Sequence, residues 1–267
     1  MTNYSRRHAI AIGAATLAAP ALVTRVNADS SGSNIVLVHG AWHGAWAWKD
    51  VVLLLTQMGF QVSALDLSGL GANYHRQAPE VGLHVHAQDV LNHLFFNDID
   101  NALVVAHSYG GGVLSEALVG DAEGRIGHAL YLDAFRLEEG QSVAGVQSEE
   151  LVEGMTKAQS EGQMIPPRPV ETWEAIWGMV GPAVQFAAPR VMPMSPNCFL
   201  ETVRGDPFSG DRRYTYMRCR QNDNDHFKSF LRASEADPRF DATEVDGHHN
   251  IMVLDPARMA NAISAVL

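Results

Sequence analysis

The stretch that most constrains this chain is residues 103–112, LVVAHSYGGG, in which an apolar run is followed by a serine and three glycines. The run predicts a buried strand, and the glycines predict a helix entered through small residues. A nucleophilic serine on a sharp strand-to-helix turn needs small residues two places before and after it. Ala106 and Gly110 surround Ser108 in this way, although the usual pattern has glycine at both places. We therefore predict that Ser108 is a nucleophile presented above a sheet.

A second apolar run, residues 35–38, predicts another buried strand, which a His-Gly turn follows at once. In acyl transfer the developing oxyanion needs two backbone N–H donors, one after the nucleophile and one from a loop after an early strand. We assign these donors to Tyr109 and Ala41. The nearby Trp46 and Trp48 we interpret as core residues of the next helix.

Strands and helices alternate along the rest of the chain, which predicts a mostly parallel sheet with helices on both faces. Ligands of such sheets bind at the carboxyl ends of the strands. Several distinctive turns follow predicted strands, and they contain Gly40, Asp66, Ser108, Asp133 and His249. We therefore expect these turns to meet at one edge of the sheet.

Residues 136–212 interrupt this alternation with tryptophan, phenylalanine, proline and five methionines. We predict that they form a small helical cap inserted between two strands. Met and aromatic side chains suit an adaptable apolar pocket beneath such a cap. The folded domain is predicted to span residues 32–267.

Composition excludes several functions. The chain has 267 residues, with 30 Asp and Glu against 19 Lys and Arg, for a formal net charge of -11. This acidity argues against nucleic acid as a partner, because phosphate binding needs clustered Lys and Arg. The two cysteines, Cys198 and Cys219, allow at most one bridge, and we expect free buried thiols. The sequence indicates no particular oligomeric state.

A histidine-rich segment raises the question of a metal site. His84, His86 and His93 share a predicted helix with Asp89. No cysteine or His-Glu-x-x-His motif completes a ligand set, so we interpret these histidines as solvated or supporting groups and expect no metal.

The N-terminus has the pattern of a targeting segment. Arg6 and Arg7 precede a weakly apolar run over residues 9–23, and a small-x-small pattern ends at Ala28. Twin arginines before such a run predict a bacterial Tat signal over residues 1–28, and hence an exported, periplasmic or secreted protein. The alternative is a disordered or anchoring tail. The run is too short for stable membrane insertion.

Four stretches of the chain resemble the α/β-hydrolase branch that holds plant methylesterases, hydroxynitrile lyases and their bacterial esterase relatives. The resemblance covers the chain from about residue 34 to its end. It implies the α/β-hydrolase fold, a Ser nucleophile, a His base, and the chain order Ser, acid, His. The stretches are residues 35–48 (IVLVHGAWHGAWAW), 105–111 (VAHSYGG), 131–142 (YLDAFRLEEGQS) and 247–256 (GHHNIMVLDP).

The resemblance also bears on which histidine and which acid take part. In the family the catalytic His lies three residues before a Met and seven before a Pro, and His249, unlike His248, has this spacing. Relatives carry the acid after either of two strands. Asp133 follows one strand, and Asp223, with Asp225 beside it, follows the other. We favour Asp133, because the stretch around Asp223 differs in length from the methylesterase pattern.

These residues predict an esterase that needs neither metal nor cofactor and acts on a small, hydrophobic or aromatic ester through an acyl-enzyme. Two alternatives use the same fold. A hydroxynitrile lyase-like C–C lyase is disfavoured because those lyases have Thr and Lys where this chain has Gly40 and Asn250. A non-catalytic small-molecule receptor is disfavoured by the export signal, since a sensor without a membrane span has no evident signalling route.

Overall fold

A sheet of six strands forms the centre of the computed structural model, which describes residues 32–267. The strand order is β2-β1-β3-β4-β5-β6, and all five neighbouring pairs are parallel. The predicted α/β class with a parallel sheet is thus confirmed. The strands are β1 (Asn34–Val38), β2 (Gln61–Leu65), β3 (Ala102–His107), β4 (Ile126–Leu132), β5 (Arg213–Cys219) and β6 (Phe240–Val245).

Helices cover both faces of the sheet, because successive strand side chains point to opposite sides. In β3, Val104 and Ala106 pack into one hydrophobic cluster, whereas Leu103 and Val105 pack into the other. The α-helices are α1 (Lys49–Gln57), α2 (Leu83–Phe96), α3 (Gly110–Gly120), α4 (Glu149–Ser160), α5 (Trp173–Trp177), α6 (Pro182–Ala187), α7 (Asn197–Leu200), α8 (Asp225–Glu235), α9 (Ile251–Leu254) and α10 (Pro256–Ser264).

The two faces differ in what covers them. The cluster that contains Val104 also takes in α2, α3 and apolar side chains of the long insertion. The cluster that contains Leu103 takes in α1 and α10, which contact each other. The predicted last helix begins at Pro256, as expected, but a further short helix, α9, lies between it and His249.

The connection between β4 and β5 contains α4, α5, α6 and α7 and no strand of the sheet. A single antiparallel bridge joins Ile165 to Met194 within it. This part of the chain is therefore helical and irregular, and it lies where the sequence predicts the cap. Its side chains form much of the cavity described below.

The prediction for residues 1–28 lies outside the described residues. Within residues 32–267, no helix is both long enough and apolar enough to cross a membrane.

Cys198 and Cys219 are both free and buried, as predicted. Trp48 is fully buried, whereas Trp46 is only partly buried and stacks on His43 with ring centres 5.1 Å apart.

Candidate active site

Ser108 lies on a sharp turn between β3 and α3, with a backbone φ of +54°. This left-handed conformation is uncommon for a residue with a side chain. It is held by the Ser108 N–H, which donates to Leu132 O at 3.2 Å, and by the Ser108 carbonyl, which accepts from Phe135 N at 3.1 Å. A Cβ at Gly110 would lie 2.8 Å from the His39 carbonyl oxygen, so the small residue after the turn is required by packing.

The carboxylate of Asp133 and the imidazole of His249 lie in line with this serine. Asp133 Oδ2 is 2.6 Å from His249 Nδ1, and His249 Nε2 is 3.0 Å from Ser108 Oγ. Asp133 is fully buried and His249 is 6% exposed. The structure therefore brings together the three side chains that the sequence predicted as nucleophile, base and acid.

The register of the sheet explains why Asp133 reaches His249. Ser108 and Asp133 follow the adjacent strands β3 and β4, and the Asp133 N–H donates to Met217 O of β5 at 2.7 Å. The Asp133 carboxylate also accepts from the Cys219 N–H at 3.1 Å and from Asn222 Nδ2 at 2.5 Å. These donors satisfy a buried carboxylate that would otherwise be costly to desolvate.

The alternative candidates lie elsewhere. The side chain of Asp223 is 96% exposed and forms an ion pair with Lys228, whose hydrogen bond lowers the pKa of Asp223. His248 is exposed, whereas His249 is buried. Asp223 also lines the cavity, but within residues 32–267 its carboxylate bonds to Lys228 and makes no hydrogen bond or ion pair with His249.

Two backbone N–H groups face the same cavity as the serine. Ala41 and Tyr109 both line this cavity, and neither N–H donates a hydrogen bond to another group of residues 32–267. The two loops approach closely, since a Cβ at Gly40 would lie 3.0 Å from Ser108 Cβ. The donors predicted for an oxyanion thus have no competing acceptor in the described protein.

Three supporting residues were missed by the sequence reasoning. The amide of Asn222 contacts Asp133, as described above. His107 Nε2 lies 2.9 Å from the His249 carbonyl oxygen, and its ring centre is 4.4 Å from that of His249. His43 Nδ1 lies 2.7 Å from the carbonyl oxygen of Ala41. The only sequence signal for them was proximity to motifs, because Asn222 directly precedes Asp223 and His107 directly precedes Ser108.

His43 links the loop of the predicted base, His249, to the loop of the predicted oxyanion donor, Ala41. Its Nδ1–H donates to Ala41 O, and its Nε2 accepts from the side chain of Asn250 at 3.1 Å. This pattern requires a neutral ring. Burial lowers the pKa of His43 to about 4 and that of His39 to about 3, so both rings are neutral at neutral pH. Burial also lowers the pKa of His107 well below its usual value.

A cavity of about 480 Å³ opens above Ser108. Its lining is mostly apolar and comes from both the sheet edge and the segment between β4 and β5. The aromatic and aliphatic contributors include Trp42, Phe135, Val143, Leu151, Met155, Ile165, Trp177, Phe199 and Phe227.

The histidines of α2 do not form a cluster with one another. His86 is buried and hydrogen-bonds to the Tyr109 hydroxyl at 2.8 Å, so it is a supporting rather than a solvated group. His93 contacts Ser63 Oγ at 2.8 Å, and His84 lies beside Glu201. Within residues 32–267, no group of three or more His, Cys, Asp or Glu side chains could hold a metal ion.

A family model described as the alpha/beta hydrolase family matches residues 35–262. A carbendazim hydrolyzing esterase from a Nocardioides species is 25% identical over 88% of this chain and 99% of its own length. A pheophorbidase from Raphanus sativus is 33% identical over 43% of this chain and 44% of its own.

A solved structure of an extracellular alpha/beta-hydrolase from a Paenibacillus species has the same fold. It superimposes with a TM-score of 0.69 at 18% identity, over 87% of this chain and 98% of that chain. A solved structure of a pyrethroid hydrolase superimposes with a TM-score of 0.66 at 18% identity, over 88% of this chain and 96% of that chain.

Proposed function

The chain belongs to the alpha/beta hydrolase family, and we propose that it is a serine esterase that cleaves carboxylic esters through an acyl-enzyme. The observation that carries this proposal is the continuous hydrogen-bonded series Asp133–His249–Ser108 at the floor of an apolar cavity. The esterase activity named for the Nocardioides relative, which aligns over most of both chains, supports the same reaction class.

In the first half of the reaction, Ser108 Oγ attacks the ester carbonyl carbon while His249 Nε2 accepts its proton. The new C–O bond converts the carbonyl oxygen into an oxyanion. The N–H groups of Ala41 and Tyr109 donate to that oxygen, and the Asp133 carboxylate stabilises the imidazolium. The imidazolium then protonates the leaving alkoxide oxygen, the ester C–O bond breaks, and the alcohol departs.

In the second half, water replaces the alcohol. His249 removes a proton from the water as its oxygen attacks the acyl carbon, and the same two N–H groups hold the second oxyanion. Collapse of this intermediate breaks the bond to Ser108 Oγ, which regains a proton from His249. The acid product leaves, and no metal or cofactor enters any step.

The size and the lining of the cavity support a class of substrate. Rings of Trp42, Trp177 and Phe199 line a space of about 480 Å³, which lies in the range of small-molecule sites. We therefore propose a small ester with a hydrophobic or aromatic body as the substrate.

The proposal is tested by measuring hydrolysis of a series of p-nitrophenyl esters of increasing acyl length, with Ser108→Ala as the control. We expect turnover that falls to background in that variant and a chain-length preference that reflects the cavity. Turnover no faster than the Ser108→Ala variant would contradict an esterase and would favour the lyase or receptor alternative.

The two histidines provide a matched pair for the same assay. His249→Ala removes the base and should abolish turnover, whereas His248→Ala changes an exposed ring and should retain most activity. The reverse result would overturn the assignment of the base.

We further propose that residues 1–28 act as a Tat export signal, on the pattern of Arg6, Arg7 and the apolar run that follows. The full chain should reach the periplasm of a Tat-competent bacterium, as judged by fractionation. Replacing both arginines by lysine should retain it in the cytoplasm, and export without change would contradict the proposal.

A further inference from the structure

One cation stands out among the side chains that line the cavity. Arg168 is the single Arg or Lys of that lining, and Asp223, which pairs with Lys228, is its single Asp or Glu. Most of the other lining residues are apolar. Its guanidinium carbon lies 5.8 Å from the centre of the Trp42 ring. Trp42 directly follows Ala41, one of the two proposed oxyanion donors. Arg168 is an exposed residue, so its positive charge lies on the solvent-facing side of the cavity that contains the reacting groups.

The guanidinium of Arg168 has no acceptor in the described protein. Within residues 32–267 no carboxylate lies within ion-pair distance of it, and its N–H groups donate no hydrogen bond. The contrast with Arg136 is clear, because that buried side chain pairs with both Glu138 and Asp237. Stacking on an aromatic face orients a guanidinium without using its five N–H donors, so those of Arg168 remain available to a ligand.

The backbone that carries Arg168 is held in place. Prolines at positions 166, 167 and 169 flank it and restrict the backbone on both sides. The Arg168 carbonyl accepts a hydrogen bond from the buried Trp173 Nε1 at 2.7 Å, and Ile165 pairs with Met194 just before it. Binding of a ligand to this side chain therefore costs little conformational entropy of the loop, because the backbone is already ordered.

From these contacts we propose that Arg168 binds a carboxylate on the ester substrate, remote from the bond that is cleaved. The proposal rests on the esterase function above and narrows its substrate class to esters with an apolar body and an anionic end, such as monoesters of dicarboxylic acids. A guanidinium fits a carboxylate through two parallel N–H···O bonds. The chain itself is acidic, with a net charge of -11, so a preference for an anionic ester needs a local cation.

The experiment compares monomethyl esters of linear dicarboxylic acids with methyl esters of monocarboxylic acids of equal chain length. We expect the anionic ester of the best-fitting length to have a kcat/KM about tenfold higher than its neutral partner, as for one charge-assisted contact. Arg168→Gln should lower this ratio of kcat/KM values to about one. The kcat/KM of the neutral esters should stay within about twofold of the wild-type value. Arg168→Lys should retain part of it, because it keeps the charge but not the planar fork.

Arg190 provides the matched control, since its guanidinium lies over Phe186 and it does not line the cavity. Arg190→Gln should leave the ratio unchanged. A wild-type ratio of one or less at every chain length, or a ratio that survives Arg168→Gln, would overturn the proposal.

Binding separates this proposal from the esterase function itself. The same ester pairs are titrated calorimetrically into the Ser108→Ala protein, in which no turnover interferes. Tighter binding of the anionic member that Arg168→Gln removes supports the site even if no ester is hydrolysed. Equal binding of both members contradicts the site, while hydrolysis of neutral esters by the wild type would still support the esterase.

Discussion

The side-chain amide nitrogen of Asn222 lies 2.5 Å from the same Asp133 oxygen that accepts the His249 Nδ1–H. It also lies only 3.3 Å from His249 Nδ1. Asn222 therefore orients the Asp133 carboxylate from the loop after β5, and a carboxylate at position 222 would itself reach the imidazole.

This relationship predicts that the carboxylate that bonds to His249 can be moved from position 133, after β4, to position 222, after β5. Asp133→Asn should lower kcat by up to about 10⁴-fold, because the imidazole loses the acceptor that fixes its tautomer. Adding Asn222→Asp to that variant should restore activity by at least about tenfold, since the new carboxylate can accept the Nδ1–H. The measurement is kcat for a p-nitrophenyl ester.

Asp223→Asn is the control for the acid, because Asp223 is exposed and paired with Lys228. Its kcat should remain within about twofold of wild type. If Asp223→Asn abolished turnover and Asp133→Asn did not, the assignment of the acid to Asp133 would be wrong.

The bond from His43 to the Ala41 carbonyl leads to a second prediction. Replacing His43 by Phe removes a donor that holds the loop of the oxyanion N–H, so kcat should fall about 10- to 100-fold while KM changes little. A trifluoromethyl ketone, which forms an oxyanion on Ser108, should lose affinity by a similar factor.

If His43→Phe instead caused a general structural defect, it would weaken the binding of all ligands. The control is His75→Gln, which changes an exposed ring far from these contacts, and it should leave both kcat and inhibitor affinity unchanged. Equal losses of inhibitor and product affinity in His43→Phe would argue against the positioning role.

The buried neutral histidines predict a dependence of stability on pH. Burial lowers the pKa of His39 to about 3 and of His43 to about 4, below the ordinary value of 6.5. As pH falls below 6.5, the unfolded chain takes up protons that the folded protein does not, so the free energy of unfolding decreases. Each such histidine contributes a slope approaching about 1.4 kcal/mol per pH unit.

Urea unfolding at pH 7, 6 and 5 measures this slope, and carboxylates contribute little in that interval. His43→Gln should be less stable at pH 7 but should lose less stability on acidification. A free energy of unfolding that is constant from pH 7 to 5 would contradict the neutral buried state of these rings.

The two thiols should be unreactive in the folded protein. Burial raises the pKa of Cys198 to about 12 and raises that of Cys219 well above its usual value, and both side chains are almost fully inaccessible. A chromogenic disulfide reagent should therefore release no more than a small fraction of one equivalent from native protein, and two equivalents in denaturant. Rapid labelling of the native protein would show that the structure around Cys198 or Cys219 opens.

Much of the fold could be predicted from local patterns. The strands β1, β3 and β4 are short, largely apolar runs, and each is followed by a turn whose small or polar residues mark the sheet edge. The sequence also linked Gly40 and Gly110 to a close approach of the backbone, and a Cβ at either position would lie 2.8 Å from a neighbouring atom. The extra short helix α9 was missed because its four residues are too few to show a helical periodicity.

By itself the sequence determined the parallel α/β architecture, the strand-to-helix turn at Ser108 and a short set of possible bases and acids. Only the tertiary structure decided which members of that set touch. Asp133 and His249 are 116 residues apart, and their contact depends on β4 lying between β3 and β5 and on the path of the loop after β6. The contacts of Asn222 with Asp133, of His107 with His249 and of His43 with Asn250 are likewise long-range. Local sequence patterns report backbone conformation and burial, whereas such hydrogen bonds depend on how distant loops pack at one edge of the sheet.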